Sequence, residues 1–527
     1  MAQQLSMHWV DMLIVILTLV FTVWVGISVA HKNKNSDAYF KGSHNAPSWV
    51  IGLSIFATLI SSVTFLSYPA AAYKGNWVLL VQGLMVPVVL VFLIWIIVPL
   101  FRKMIRLSTY EYFERRFGLG ARIYSSLAFL LTHFSKMGTV LYLISLALYS
   151  MTGIDALWFI VLLGLLIVII TYVGGMEGVI WMDVIQGLLL IVGGIVCVVV
   201  LLVVPEQGPG QIFHEAIALK KIGFGPYHFS FAELTFWVMV INGAFYALQK
   251  YGTDQTIVQR YLTARNDKEA KKAAYIGVGL SVPIWTVFML IGSLLFVFYH
   301  NGSATLPEGM KAEEVFPYFM ITELPVGVAG LVIAALVAAA ISSLDADMNC
   351  LSAIVVEDFY ARFHPDCTDA QRLRLARGLV ALSGLLTVGV AGLYYLWNGE
   401  GVLGVVFQLY AIFSAGIVGI FLLGLFSRRA NKQGLYIGIA ACVLFTAYAV
   451  LTSTKIGVGP DKHILLDLGR WNFPHHKNML GVYSHLIVLV VGYVASLFFP
   501  RPKLEKGLVI YDYKLRQSDG ETEEETK

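Results

Sequence analysis

Apolar residues run through this chain in blocks of about 20 residues, the length needed to cross a bilayer core of roughly 30 Å as a helix. The blocks fall at 9–30, 49–73, 77–100, 124–151, 156–173, 179–204, 233–252, 274–298, 326–354, 378–396, 402–426, 434–453 and 481–500, about thirteen spans by hydropathy. In hydrocarbon the backbone must satisfy its own hydrogen bonds, which leaves helices or a closed barrel. Barrel strands would alternate polar and apolar, and these blocks do not. The predicted fold class is an all-α polytopic membrane protein, with one transmembrane domain over 1–500 and a polar, acidic, disordered tail over 501–527. The N-terminus "MAQQLSMHWVDMLIV" has no basic region before its apolar run, so the first helix is expected to be retained.

Two blocks carry break signals. In "WVIGLSIFATLISSVTFLSYPAAAYKG" the hydroxyls of Ser61, Ser62 and Thr64 sit at the centre, and Pro69 and Gly75 weaken the outer half. A helix unwound there leaves carbonyls free, which lipid tolerates only where they line a cavity or hold an ion. In "FWVMVINGAFYALQKYGTDQ" the turn-type dipeptide Asn242–Gly243 predicts a second break. With the first span set aside, these two blocks head two five-span sets, about 49–204 and 233–426. Paired broken helices at equivalent positions point to an inverted-repeat transporter site.

Composition supports the class: 58% of the 527 residues are hydrophobic and 13% charged, with a mean hydropathy of +0.74. The net charge of +4 is spread unevenly. Loops 31–48, 101–123, 253–273, 355–377 and 427–433 hold 21 of the 37 basic residues, and the opposite loops hold 8. That bias puts the N-terminus outside and the C-terminus in the cytoplasm, in a cell (inner) membrane. It reflects topology, not a nucleic-acid surface. Cys197, Cys350, Cys367 and Cys442 have no paired spacing, so neither a disulfide framework nor a zinc site is predicted. No phosphate-binding loop appears, which removes ATP-driven transport.

A polar group inside a span costs ~2.5–3.5 kcal/mol or more and marks a functional site by default. Asp183, in "GGMEGVIWMDVIQG", lies near the cytoplasmic end of its span, where it joins a cation site, starts a helix as a structural aspartate or pairs with a cytoplasmic arginine. Asp345 follows "AAAISSL", with Ser342 on its helix face. Hydroxyls, carboxylates and free carbonyls together form the oxygen set that a small hard cation takes. Asp347, nearer the inner surface, reads as a solvated charge. Lys250 reads as a snorkelling side chain. Gln82 and Gln249 supply neutral donors and acceptors, to a solute or between helices. Lys136 lies near mid-helix, where it pairs with a carboxylate, snorkels or bonds its own helix; with no intramembrane acid as an evident mate, the expectation is that a solute carboxylate completes it. His133 is without a nameable partner and reads as a packed histidine, which weighs against an intramembrane enzyme. A membrane sensor on a transporter scaffold would need an output domain larger than this tail.

The stretches "DAYFKG", "SIFATLISSVTFLS", "YEYFERRFG", "GGMEGVIWMDVIQG", "DQTIVQRYLTA", "AALVAAAISSLDADMN" and "FLLGLFSRRANKQGLYIG" together resemble the sodium:solute symporter family, in the family's order. The resemblance implies a LeuT-type five-plus-five inverted repeat with flanking helices and sodium-driven alternating access. Carried over by position, the main sodium site falls on the carbonyls of Ala57, Ile60 and Ala339 and the hydroxyls of Ser342 and Ser343. A second sodium in some members implies Asp183, Ser342 and Asp345. There, Asp345 and Ala346 replace two hydroxyl residues, which leaves a second sodium site and a proton-sensitive site as equal expectations. Among relatives the chain looks most like the bacterial sialic acid type, which implies solute contacts at Ser61, Thr64, Gln82 and Lys136. Lys136 replaces an arginine, Leu59 a threonine and Ala244 an aromatic residue. The expected solute is thus a sialic acid, a smaller sugar acid, a monocarboxylate or a neutral sugar. The implied partners are that solute, sodium ions and the lipid bilayer, without nucleic acid or an obligate protein.

Overall fold

The structure is a computed structural model and describes residues 7–29, 35–42, 44–396, 415–456 and 463–512. These residues are almost entirely helical, apart from one two-residue ladder pairing Lys455–Ile456 with His463–Ile464. Among them, nine helices are long and apolar enough to span a membrane, or ten if one sharply bent pair is counted as a span.

That bent pair is α3 (Ser48–Leu59) and α4 (Ser62–Lys74), which follow α1 (Trp9–Ser28) and the short α2 (Ser36–Lys41). Their axes differ by 59°. Ile60 ends α3 in an extended conformation (φ −99°, ψ 104°), and Ser61 starts α4 by accepting from the Thr64 N–H at 3.5 Å. A serine at this position favours the cap over continued helix, so the break expected in the second span is present.

After α5 (Leu80–Met104), α6 (Glu111–Phe117) and α7 (Leu119–Thr152), the chain forms the 48-residue α8 (Ala156–Val203). Gly175 divides α8 with φ 53° and ψ −160°, a conformation open to glycine. The expected fifth and sixth spans are therefore two arms joined without a loop. The arms meet α1, where a Cβ at Gly178 would lie 3.2 Å from the Gly26 carbonyl.

The second half begins, after α9 (Gly208–Ala218), with α10 (Phe236–Gly252). The predicted break at Asn242–Gly243 is absent, because α10 runs through it. Asn242 instead donates to the Asn478 carbonyl at 2.8 Å, and Gly243 lets α10 approach α5 closely. The chain breaks ten residues later, at Thr253–Asp254, before α11 (Gln255–Thr263). The paired interruption exists, at a different place.

The remaining helices are α12 (Asp267–His300), α13 (Ala312–Thr322), α14 (Val328–Ile354), α15 (Asp369–Leu396), α16 (Ile417–Phe426), α17 (Lys432–Ser453) and α18 (Lys477–Ser496). Of the span expected at 402–426, residues 402–414 lie outside the described residues, as do 513–527 of the tail. Asp11, buried within α1, accepts from the Gly327 and Gly330 N–H groups at 2.6 and 2.8 Å. It satisfies the otherwise unpaired donors at the start of α14.

The Gly243 contact makes a prediction. A Cβ there would fall 2.8 Å from the Gln82 Cα and carbonyl oxygen. Gly243→Ala should cost ~1–3 kcal/mol by forcing α10 from α5, read as a lower melting temperature in detergent. Gly279→Ala, whose Cβ meets open space, is the control and should not melt earlier than the native protein.

Candidate functional site

A cavity of about 300 Å³ lies between the two helix breaks and α7. The first break contributes Thr58, Leu59, Ser61 and Thr64, and α7 contributes Phe129, Thr132, His133 and Lys136. The second break contributes Tyr246, Gln249, Lys250, Thr253 and Asp254. Of the expected solute contacts, Ser61, Thr64, Lys136 and Gln249 line this cavity. Gln82 is not among its lining residues and lies at the α5–α10 contact, against Gly243.

The charges here differ from the expectations. Asp347 is fully buried, not solvated, and it is the mate Lys136 was thought to lack: Lys136 Nζ lies 2.9 and 3.2 Å from its two oxygens. The reason is rotational. The Asp347 face of α14 turns towards α7, so depth along the span did not predict exposure. His133 is not alone either. Its Nδ1 lies 2.8 Å from Asp347 and its Nε2 3.7 Å from Asp254, while its ring stacks on Phe129 at 3.8 Å. Lys250 does not snorkel, since its ammonium meets Asp254 at 2.5 Å. Asp254 also caps α11 by accepting from the Thr256 N–H at 2.9 Å. Asp254 escaped the sequence reading, although "YGTDQT" carries the helix-stop glycine and capping aspartate that mark it.

Beside the first break, α14 brings up its serine pair. Ser342 Oγ donates to the Ala57 carbonyl at 3.0 Å and lies 3.4 Å from the Ala339 carbonyl. Ser343 Oγ is fully buried and has no hydrogen-bond partner among the described residues. Ile60, the residue after α3, has its N–H on the Phe56 and Ala57 carbonyls at 3.3 Å and its own carbonyl past the last turn. The donors are all oxygens, the chemistry that a hard cation such as sodium accepts.

The third group is acidic. Asp183 is fully buried and tied through Oδ2 to Arg260 at 2.8 Å and to Ser54 at 2.5 Å. Arg260, equally buried, also donates to Ser54 Oγ at 2.7 Å and to the Thr256 carbonyl at 2.6 Å. Asp183 therefore has an arginine partner, as one of its readings had it, and both members of the pair are fully buried. Asp183 Oδ1, both oxygens of Asp345 and both polar atoms of Gln186 are buried without a hydrogen-bond partner among the described residues. Asp345 feels Asp183, Arg260 and Asp347 electrostatically. Packing sets the register: Gly193 of α8 faces Ala335 of α14. Two helical turns along both antiparallel helices, Gln186 comes level with Ser342, and one turn further Asp183 comes level with Asp345.

Comparison with known proteins agrees with this geometry. The sodium:solute symporter family model matches residues 39–441. The sodium/sialic acid symporter NanT of Aliivibrio fischeri is 35% identical over 477 residues, 90% of each chain. The sodium/sialic acid symporter SiaT of Proteus mirabilis is 33% identical over 91% of this chain and 93% of its own. The human sodium/iodide cotransporter is 29% identical over 82% and 67%. A solved substrate-bound, outward-open sodium-coupled sialic acid symporter, described as revealing a novel sodium site, superposes with a TM-score of 0.85 at 31% identity, covering 94% of this chain and 99% of that one. Mhp1, a nucleobase–cation symporter, shares the fold alone, with a TM-score of 0.52 at 14% identity over 86% and 95%. The expected LeuT-type class, transport in place of enzyme chemistry, and sodium as the coupling ion all stand. This multi-pass membrane protein is a sodium-coupled symporter of a small organic solute, and the chain belongs to the sodium:solute symporter family.

Proposed function

We propose that the chain imports its solute through the cavity between the two breaks, with sodium held beside that cavity by Ala57, Ile60, Ala339, Ser342 and Ser343. Ser61, Thr64, Lys136 and Gln249 contact the solute, and Gln82 acts through the α5–α10 contact. The N-terminus faces outside and the C-terminus the cytoplasm, in keeping with the basic loops. One transporter domain carries the whole function. The observation that supports the cation site most directly is the buried Ser343 hydroxyl, without a partner among the described residues and next in sequence to Ser342, which reaches the Ala57 carbonyl near the end of α3. A buried hydroxyl without a hydrogen bond is costly, and a cation at that point relieves the cost.

A second cation belongs between Asp183 and Asp345, with Ser342 alongside. Two buried carboxylates and the single Arg260 guanidinium leave one negative charge uncompensated, which one monovalent cation neutralises. Sodium dependence of uptake into proteoliposomes should therefore be sigmoidal. Asp345→Asn should turn it into a hyperbola, and this substitution strands no side chain, because Asp345 bonds none among the described residues. A hyperbolic curve in the native protein would leave one sodium and make the acid pair structural.

A further inference from the structure

We propose that the solute is a neutral, polyhydroxylated molecule of monosaccharide class, not a carboxylate. This rests on the cavity being the solute site, as read above. The argument is an inventory of charge. The cavity and its wall hold two ammonium groups, Lys136 and Lys250, and two carboxylates, Asp347 and Asp254. Each ammonium is matched at contact distance, and His133 bridges the two carboxylates. No lysine or arginine lining the cavity is left without a counter-ion among the described residues.

An anionic solute thus has no vacant cation to bind. To use Lys136 it must draw the ammonium from Asp347, which is fully buried and cannot turn to water. Stranding a buried carboxylate in this way weakens binding on the order of a hundredfold. Placed beside the pairs without breaking them, a carboxylate adds an unbalanced negative charge to a low-dielectric site. A zwitterion must split both pairs to make two new ones.

A hydroxyl group faces none of these costs. Lys136 keeps N–H donors for it, since its one hydrogen bond to Asp347 goes to Oδ1, and the side chain is 29% exposed. The hydroxyls of Thr64 and Tyr246 and the amide of Gln249 line the same cavity and make no side-chain hydrogen bond among the described residues. Donors and acceptors of this neutral kind, spread around three walls, match a ring bearing several hydroxyls. The volume of about 300 Å³ sits at the small end of organic-ligand sites, roughly 300–1,000 Å³.

The test uses the full-length protein in proteoliposomes with inward sodium, and counterflow of matched probes: glucose against glucuronate, N-acetylmannosamine against N-acetylneuraminate, glycerol against lactate. At least one neutral member should exchange, with its acid counterpart at least about tenfold weaker, following the charge argument. Asp347→Asn, which frees Lys136, should narrow or invert that preference. An acid preferred over its neutral partner in the native protein would overturn the proposal, and so would exchange of no neutral member. Stabilisation of the solute-free protein by sodium over choline is measured alongside. Its loss would count against the symport site, whereas its presence with an acid preference counts against the solute class alone.

Discussion

Arg260→Met should destabilise the protein by ~3–5 kcal/mol, the largest single effect expected here. Arg260 is fully buried, and it neutralises an Asp183 that is fully buried too. Removing the guanidinium takes from Asp183 its one salt-bridge partner among the described residues, beside a second buried carboxylate, Asp345. The hydrogen bond to Ser54 and the tie to the Thr256 carbonyl go with it, loosening α11 from α3. Thermal unfolding in detergent should show a large drop, together with reduced monodisperse yield. The double substitution Arg260→Met/Asp183→Asn should recover much of the loss, because the stranded charge is the main cost. A double mutant no more stable than Arg260→Met alone would assign the effect to packing.

Ser343→Ala should raise the sodium concentration for half-maximal uptake about ten- to a hundredfold, from a ligand hydroxyl worth ~1.5–3 kcal/mol to a charged partner. The structure makes this variant unusually clean. Ser343 Oγ has no partner among the described residues, so its removal should leave the melting temperature in choline unchanged while the extra stability conferred by sodium shrinks. Ser342→Ala differs, since Ser342 also bonds the Ala57 carbonyl and ties α14 to α3; it should lower stability in both salts. An unchanged sodium requirement in Ser343→Ala would remove that hydroxyl from the cation site.

Much of the architecture was legible in single segments. The apolar blocks state their own membrane character, because transfer of a helix into lipid depends on the residues of that helix alone. The first break was legible because Ser61, Ser62 and Thr64 place capping chemistry inside an apolar run. The second break was misplaced because Asn242–Gly243 has two explanations, a turn or a close helix contact. Only the packing of α10 on α5 shows that the glycine serves the contact, while the quieter "GTD" ten residues later makes the turn.

The amino-acid sequence by itself thus determined the helical membrane class, the family through its ordered motifs, and the serine pair Ser342–Ser343 as candidate cation ligands. Only the tertiary structure decided how the intramembrane charges are partnered: Lys136 with Asp347, 211 positions away, Lys250 with an Asp254 that caps a broken helix, and Asp183 with Arg260. It also placed the Gln82 backbone against Gly243 at the α5–α10 contact. The physical reason is that depth in the bilayer follows from composition along one helix, whereas partnership depends on the rotation of each helix about its axis. That rotation is set by packing between segments far apart in the chain.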